Sequence, residues 1–296
     1  MQRSSLLRRL LALALAAAAV LALSSCGKDE PAPTEPDTPP AVTEEEPVPG
    51  QSEETSNVEV PDLSQDILSM HEKNDDVVGW LNIPDTTINN AVLQAEDNKY
   101  YERLDENRQY SFLGSFFADY ECDLQSRDSL SKNTVIYGHN VQYDDNKDGE
   151  RFSQLFRFTD QEFAEKHPYV YFSILGDGAD KPENQMVWEI FAVFYTTTDF
   201  PYIQVMKDMT GESTEPITDA QLSNLLTEAQ ARSEYDYPVT VSASDKILTL
   251  STCSYKYGLR DDVRFVVMAR LLEPDASLKE KVDLTANADK KTVDGQ

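Results

Sequence analysis

Cysteine is scarce in this chain. Only Cys26, Cys122 and Cys253 are present. That is too few for the disulfide framework of a small secreted domain, and their spacing suits no zinc site. Basic residues are also short: 26 Lys and Arg stand against 53 Asp and Glu, a formal net charge of -27. So acidic a body repels nucleic-acid phosphates, and no nucleic-acid partner is expected. Histidine occurs three times, as His71, His139 and His167. No apolar run reaches the roughly 20 residues that a spanning helix prefers. No internal repeat is visible. The 296 residues allow one large domain or two small ones, and a hydrophobic fraction of 40% is enough for a core.

The first 26 residues have the layout of a secretory signal. Arg3, Arg8 and Arg9 form a basic start, Leu10 to Leu23 an apolar run, and Ser24 and Ser25 a small-residue end. Leu23-Ser24-Ser25-Cys26-Gly27 then resembles a bacterial lipobox, in which the cysteine carries the lipid anchor. An uncleaved signal-anchor, or simple cleavage, are the alternatives. Each version puts the rest of the chain outside the cytoplasm, and the lipobox version holds it on the extracytoplasmic face of the membrane. Residues 27–60 are rich in Pro and Glu and poor in large apolar side chains. Such a stretch cannot bury enough surface to offset its ordering entropy and is expected to be a disordered stalk. The polar end, residues 275–296, is expected to be a frayed tail with at most a short helix.

Residues 61–274 form the expected folded domain. Ser64 to Asn74 reads as an amphipathic helix, with Ile67, Leu68 and Met70 buried and Ser64 as its N-cap. Val77 to Ile83 is apolar and ends at the turn signal Pro84-Asp85. Short β-type runs follow: 88–93, 111–117, 134–137, 169–174, 187–195, 238–241, 246–253 and 264–272. Helical stretches at 152–156 with 160–166, and at 218–233, interrupt them. Many strands without a βαβ rhythm predict a mainly β protein, an antiparallel barrel or sandwich with helical insertions.

Alternation along Lys246–Cys253 puts Thr249, Ser251 and Cys253 on one face and Leu248, Leu250 and Thr252 on the other. A loop then leads into the strongly β-forming run from Arg264. Consecutive strands joined this way usually pair antiparallel, which makes Cys253 and Arg264 neighbours across the ladder. A guanidinium beside a thiol lowers its pKa and can donate to an oxyanion. A structural cysteine beside a solvent-exposed arginine fits the same pattern. Arg260 competes for the role but has no strand to hold it. Acyl transfer through a thiol commonly needs a histidine. His71 sits on the first helix and reads as a surface residue; His167 precedes Pro168 at a helix end and reads as a C-terminal partner of that helix. His139 follows Val-Ile-Tyr-Gly, where a strand end would present a side chain at a rim.

Thr249-Leu250-Ser251-Thr252-Cys253, Arg264 and Tyr137-Gly138-His139-Asn140 together resemble the signatures of the sortase family. The segments Asp76–Pro84, Asp97–Tyr101 and Gly114–Asp119 are similar to those of class B sortases. The resemblance implies a closed eight-stranded β-barrel with an N-terminal helical pair and a helix inserted before the cysteine strand, which Thr218–Ser233 fits. It implies a cysteine transpeptidase: Cys253 as nucleophile, His139 as acid/base, and Arg264 at the oxyanion, with a backbone N–H near Cys253 as a second donor. Ser251 and Thr252 are the implied substrate-binding residues. The implied donors are secreted proteins with a C-terminal sorting motif, a pentapeptide with Pro second and Thr fourth, cleaved after Thr. The implied acceptor is an amino group of a cell-wall precursor or a pilin, and no cofactor is needed. Three departures stand out: Asn90-Ala91-Val92 lacks the usual proline, Tyr255 stands where some members carry an acid, and a lipobox replaces the more usual signal-anchor.

Two rival functions share these residues: a cysteine peptidase or amidase that uses water as acceptor, and a non-catalytic peptide-binding lipoprotein. Two weaker signals remain. Asp144-Asp-Asn146-Lys-Asp148-Gly149 has the spacing of half a calcium loop, but Leu155 stands where the closing acid belongs, so an acidic turn is expected. Cys122, in an acidic loop, is expected to be a free, unreactive thiol.

Overall fold

The computed structural model describes residues 58–295. The signal segment, the lipobox with Cys26, and the stalk as far as residue 57 lie outside the described residues. Helix α1 (Ser64–His71) precedes strands β1 (Val77–Asn82), β2 (Asn89–Leu93), β3 (Phe116–Ala118) and β4 (Asn133–Tyr137). A 3-10 segment, Phe152–Thr159, leads into α2 (Gln161–Lys166), β5 (Tyr169–Ile174) and β6 (Val187–Thr197). Helix α3 (Asp219–Arg232) and the short β7 (Tyr235–Asp236) come next, then β8 (Ile247–Cys253), β9 (Val263–Leu271) and the short β10 (Thr285–Ala286).

Eight strands close into a barrel in the order β1-β2-β3-β4-β8-β9-β6-β5. Closure leaves no exposed sheet edge. Two of the pairings, β2 with β3 and β4 with β8, are parallel; the others are antiparallel. Phe152, Phe156 and Phe158 of the 3-10 segment are fully buried and belong to the main core with Phe116, Phe172, Trp188 and Phe265. Among the described residues, one α-helix precedes β1 and none is long and apolar enough to cross a membrane.

Helix α3 is the expected insertion before the cysteine strand. Thr218 caps it, with Gln221 completing a reciprocal capping box. Leu222, Leu225, Leu226 and Ala229 recur at helical spacing and pack with Phe194, Ile247, Val266 and Met268 of β6, β8 and β9. Burial contributes about 2 kcal/mol per leucine. The helix is thereby seated on the strands that carry Cys253 and Arg264.

Several local expectations need correction. Ser64 does not cap α1; Leu63 occupies the cap position, and the Asp62 carboxylate accepts the Ser64 amide instead. The helix also ends at His71, short of Asn74. The run 111–117 is a strand only from Phe116, because the chain turns at Gly114 (φ 58°), whose amide bonds to the Ser111 carbonyl. Residues 238–241 form no strand: Pro238 has no N–H for a ladder, and the pairing residues are Tyr235 and Asp236.

Residues 275–295 are not a frayed tail, and no helix is present among them. Val282, Leu284 and Val293 are buried in the main core cluster. β10 pairs with β7, Val282 N–H donates to the Glu165 carbonyl, and Lys291 N–H donates to Ala231. The three apolar side chains are spaced too irregularly among Lys and Asp to announce themselves in the sequence.

Candidate active site

The site is built on the parallel pairing of β4 and β8. In that register Tyr137 lies opposite Ser251, and Gly138 N–H continues the ladder to the Ser251 carbonyl at 3.3 Å. Two residues farther along each strand come His139 and Cys253. On the other side of β8, Cys253 is the direct cross-strand partner of Arg264, as the alternation predicted. His139, Cys253 and Arg264 therefore stand in a row at the ends of three adjoining strands. All three line one cavity of about 270 Å³. A larger cavity of about 460 Å³, behind α3, is lined by no cysteine or histidine.

Cys253 is partly exposed at the strand end and is not disulfide-bonded. His139 is half-buried, and its Nε2 lies 2.8 Å from the Glu102 carbonyl oxygen. Burial pulls the imidazole below its ordinary value; the Glu102 carbonyl opposes this, and Arg103 adds to the lowering. The residue before it must be small. A Cβ on Gly138 would sit 2.7 Å from the Phe152 ring and 2.8 Å from Phe116, two rings stacked at 4.4 Å. Gly114 likewise fits between the Glu102 carbonyl and the His139 ring.

Arg264 Nη1 donates to the carbonyls of Asp261 (2.7 Å) and Val263 (3.0 Å). Nε and Nη2 have no partner among the described residues. Arg260, the competing arginine, pairs with Asp262 and Asp294. Its charge is committed away from the thiol. The backbone donors expected near Cys253 are also committed: Ser254 N–H donates to Val263 O, and Tyr255 N–H donates to an Asp145 carboxylate oxygen.

Ser251 lines the cavity and shares a 2.8 Å hydrogen bond with the Tyr202 hydroxyl. Burial pushes the Tyr202 phenol up to about 12. Thr252 borders the cavity, but its hydroxyl is buried without a partner among the described residues. Opposite β8, Asn98 and Tyr137 both donate to one Asp119 oxygen, at 2.8 and 2.7 Å. Sequence reasoning missed Tyr202, Asp119 and the Glu102 carbonyl. Tyr202 comes from a loop with no motif around it, while Asp119 and Glu102 lie at the edge of segments read for their resemblance alone, where nothing marked these two as facing the site.

The other cysteine and histidines sit elsewhere. Cys122 is buried and unpaired, with its thiol pushed up by burial. His71 Nδ1 faces the Val77 carbonyl, and His167 bridges the end of α2 (Phe163 O, 2.8 Å) and Asp85. The half calcium loop is used differently: Asp145 faces Asn140, Ser254 and Tyr255.

No family model matches the chain. Among curated proteins it is 37% identical over 221 residues to a sortase B of Listeria monocytogenes, covering 74% of this chain and 78% of the relative. The chain belongs to the sortase B family. These enzymes are cysteine transpeptidases, and this sortase shares the closed eight-stranded barrel of the solved ones. A Staphylococcus aureus sortase B is 31% identical over 205 residues, 69% of this chain and 74% of the relative. The structure of a Staphylococcus aureus sortase B–substrate complex matches with a TM-score of 0.57 at 30% identity, over 71% of this chain and 86% of that one. A sortase B complexed with triglycine matches with a TM-score of 0.56 at 29% identity, over 71% and 87%.

Proposed function

We propose that this sortase cleaves a C-terminal sorting motif of secreted proteins after Thr and joins the new carboxyl end to an amino group of the cell wall or a pilin. The row of His139, Cys253 and Arg264 on adjoining strand ends carries this reading. Cys253 sulfur attacks the Thr carbonyl while neutral His139 takes the thiol proton. Arg264 turns its two uncommitted nitrogens toward the developing oxyanion. His139 then returns the proton to the leaving amine, and a thioacyl intermediate remains. An incoming amine attacks that carbonyl, its proton passes to His139, and the thiol is released as the new amide forms.

Burial holds the His139 imidazole below its ordinary value, which suits it to begin as the base. No step needs a metal or cofactor. Ser251, with Tyr202 behind it, is assigned to the peptide groove; Thr252, with its hydroxyl buried, is assigned there through its position only. The relatives solved with substrate and with triglycine support a peptide donor and an amine acceptor. We place the catalytic domain outside the cytoplasm, held by a lipid on Cys26 at the end of a Pro/Glu-rich stalk. The lipobox-like sequence supports that placement, and loss of labelled fatty acid from Cys26→Ala in cells tests it.

The deciding experiment mixes the protein with a library of pentapeptides bearing Pro second and Thr fourth, with and without triglycine. Amide product and a thioacyl adduct on Cys253, both seen by mass spectrometry, are expected. Free acid alone, at saturating amine, would make the enzyme a peptidase. Binding without turnover, unchanged in Cys253→Ala, would remove the enzymatic reading.

A further inference from the structure

The acidic stretch after His139 resembles half a metal loop, yet one of its carboxylates turns back into the protein. Asp145 Oδ1 accepts the Tyr255 amide at 2.8 Å and the Asn140 side-chain amide at 3.2 Å. Its Oδ2 accepts the Ser254 hydroxyl at 2.7 Å. Asn140, next to His139, also donates to the Cys253 carbonyl at 3.1 Å, and its own side-chain oxygen accepts from Ser153. Ser254 Oγ in turn accepts the Lys256 amide at 3.3 Å. The residues that follow the base and the residues that follow the nucleophile are thus joined through one carboxylate. The two segments are about 110 positions apart in the chain.

We infer that Asp145 is a positioning residue for transpeptidation: it holds the turn after Cys253 against the loop after His139 and so fixes the thiol relative to the imidazole. The inference rests on the catalytic reading proposed above. A carboxylate suits this task because its two oxygens accept several donors at once, and charge-assisted bonds hold tighter than neutral ones. No acid stands at Tyr255, so the neighbourhood of the thiol draws its carboxylate from the histidine loop instead. Without it, Tyr255 N–H and the Ser254 hydroxyl lose their acceptor, and of the bonds described above between the two segments only that from Asn140 to the Cys253 carbonyl remains. Displacement of a reacting group by an ångström costs up to about 100-fold in rate.

The test compares wild type, Asp145→Ala, Asp145→Asn and Ser254→Ala in two assays: amide formation, and alkylation of Cys253 by iodoacetamide across pH 5–9, with melting temperature alongside. For Asp145→Ala, kcat is expected to fall about 10- to 100-fold with KM within about twofold, and the pH profile of alkylation to shift. Asp145→Asn is expected to recover most of the rate, since its amide oxygen still accepts from Tyr255 and Asn140 and its NH2 can donate to Ser254. Should Asp145→Ala not fold, Ser254→Ala takes its place, with a smaller fall in kcat, about threefold, at unchanged KM. An Asp145→Ala enzyme with wild-type kcat and alkylation profile overturns the inference, as does a Ser254→Ala enzyme equal to wild type where Asp145→Ala is not folded. An Asp145→Asn enzyme as impaired as Asp145→Ala also overturns it, because charge and not geometry would then be at work. Alkylation needs no sorting peptide, so a wild type that forms no amide defeats the transpeptidase reading, while the alkylation profiles still judge Asp145.

Discussion

Tyr137 of β4 lies opposite Ser251 of β8 in a parallel pair, so both strands reach the rim of the barrel in step. Parallel pairing makes the next outward residues, His139 and Cys253, neighbours as well. Arg264 joins them through the antiparallel pairing of β8 with β9.

Removing the guanidinium tests the oxyanion assignment. Arg264→Ala is expected to lower kcat by about 10²-fold or more, while Cys253 still reacts with a small alkylating reagent. A variant within about threefold of wild type in amide formation would pass the role to another donor.

His139 gives a pH signature. Its imidazole is held below the ordinary 6.5, first of all by burial. A group depressed in the folded state contributes its full stability above the unfolded pKa and loses it as pH falls through the folded one. The stability of wild type relative to His139→Asn should therefore decline as pH drops below about 6.5. An NMR titration that places His139 above 6.5 would contradict this.

Gly138→Ala should overpack the barrel rim. The added methyl meets the Phe152 and Phe116 rings at under 3 Å, and neither ring is the end of a flexible chain. A loss of about 1–3 kcal/mol in denaturant unfolding is expected, with a fall in activity as His139 is displaced.

The two thiols of the described domain should separate cleanly. In folded protein, iodoacetamide is expected to label Cys253 and leave Cys122 untouched, because burial both hides that thiol and raises its pKa. Denaturation should release the second label; equal labelling rates in the folded state would count against the buried assignment.

Leu284→Ala checks the packed C-terminal segment. At 6% exposure within the core cluster, the truncation should cost roughly 2–3 kcal/mol. A frayed tail would show no change in unfolding midpoint.

The strand alternation ending at Cys253, and its pairing with Arg264, were readable in the chain because both are local: two consecutive β-runs and one loop decide them. Helix α3 was legible as the stretch 218–233, while the capping box that starts it, Thr218 with Gln221, came only with the structure. His139 was reached through its resemblance to a family motif, since β4 and β8 are separated by more than a hundred residues and no residue in either run encodes a parallel pairing. For Asp145, within the acidic turn, the partners were not legible for the same reason. Its partners lie about 110 positions away, and an isolated carboxylate looks alike whether it faces water or a backbone amide. The tail was misread because its average composition is polar while Val282, Leu284 and Val293 are buried apolar residues.

By its own sequence the protein determined which residue types can do the chemistry and which strands present them, because propensity and alternation act within a few residues. Only closure of the barrel decided that an imidazole, a thiol and a guanidinium share one rim and that a distant carboxylate braces them. Contacts of that kind depend on the relative placement of strands, and register between distant segments is chosen by the packing of the whole core.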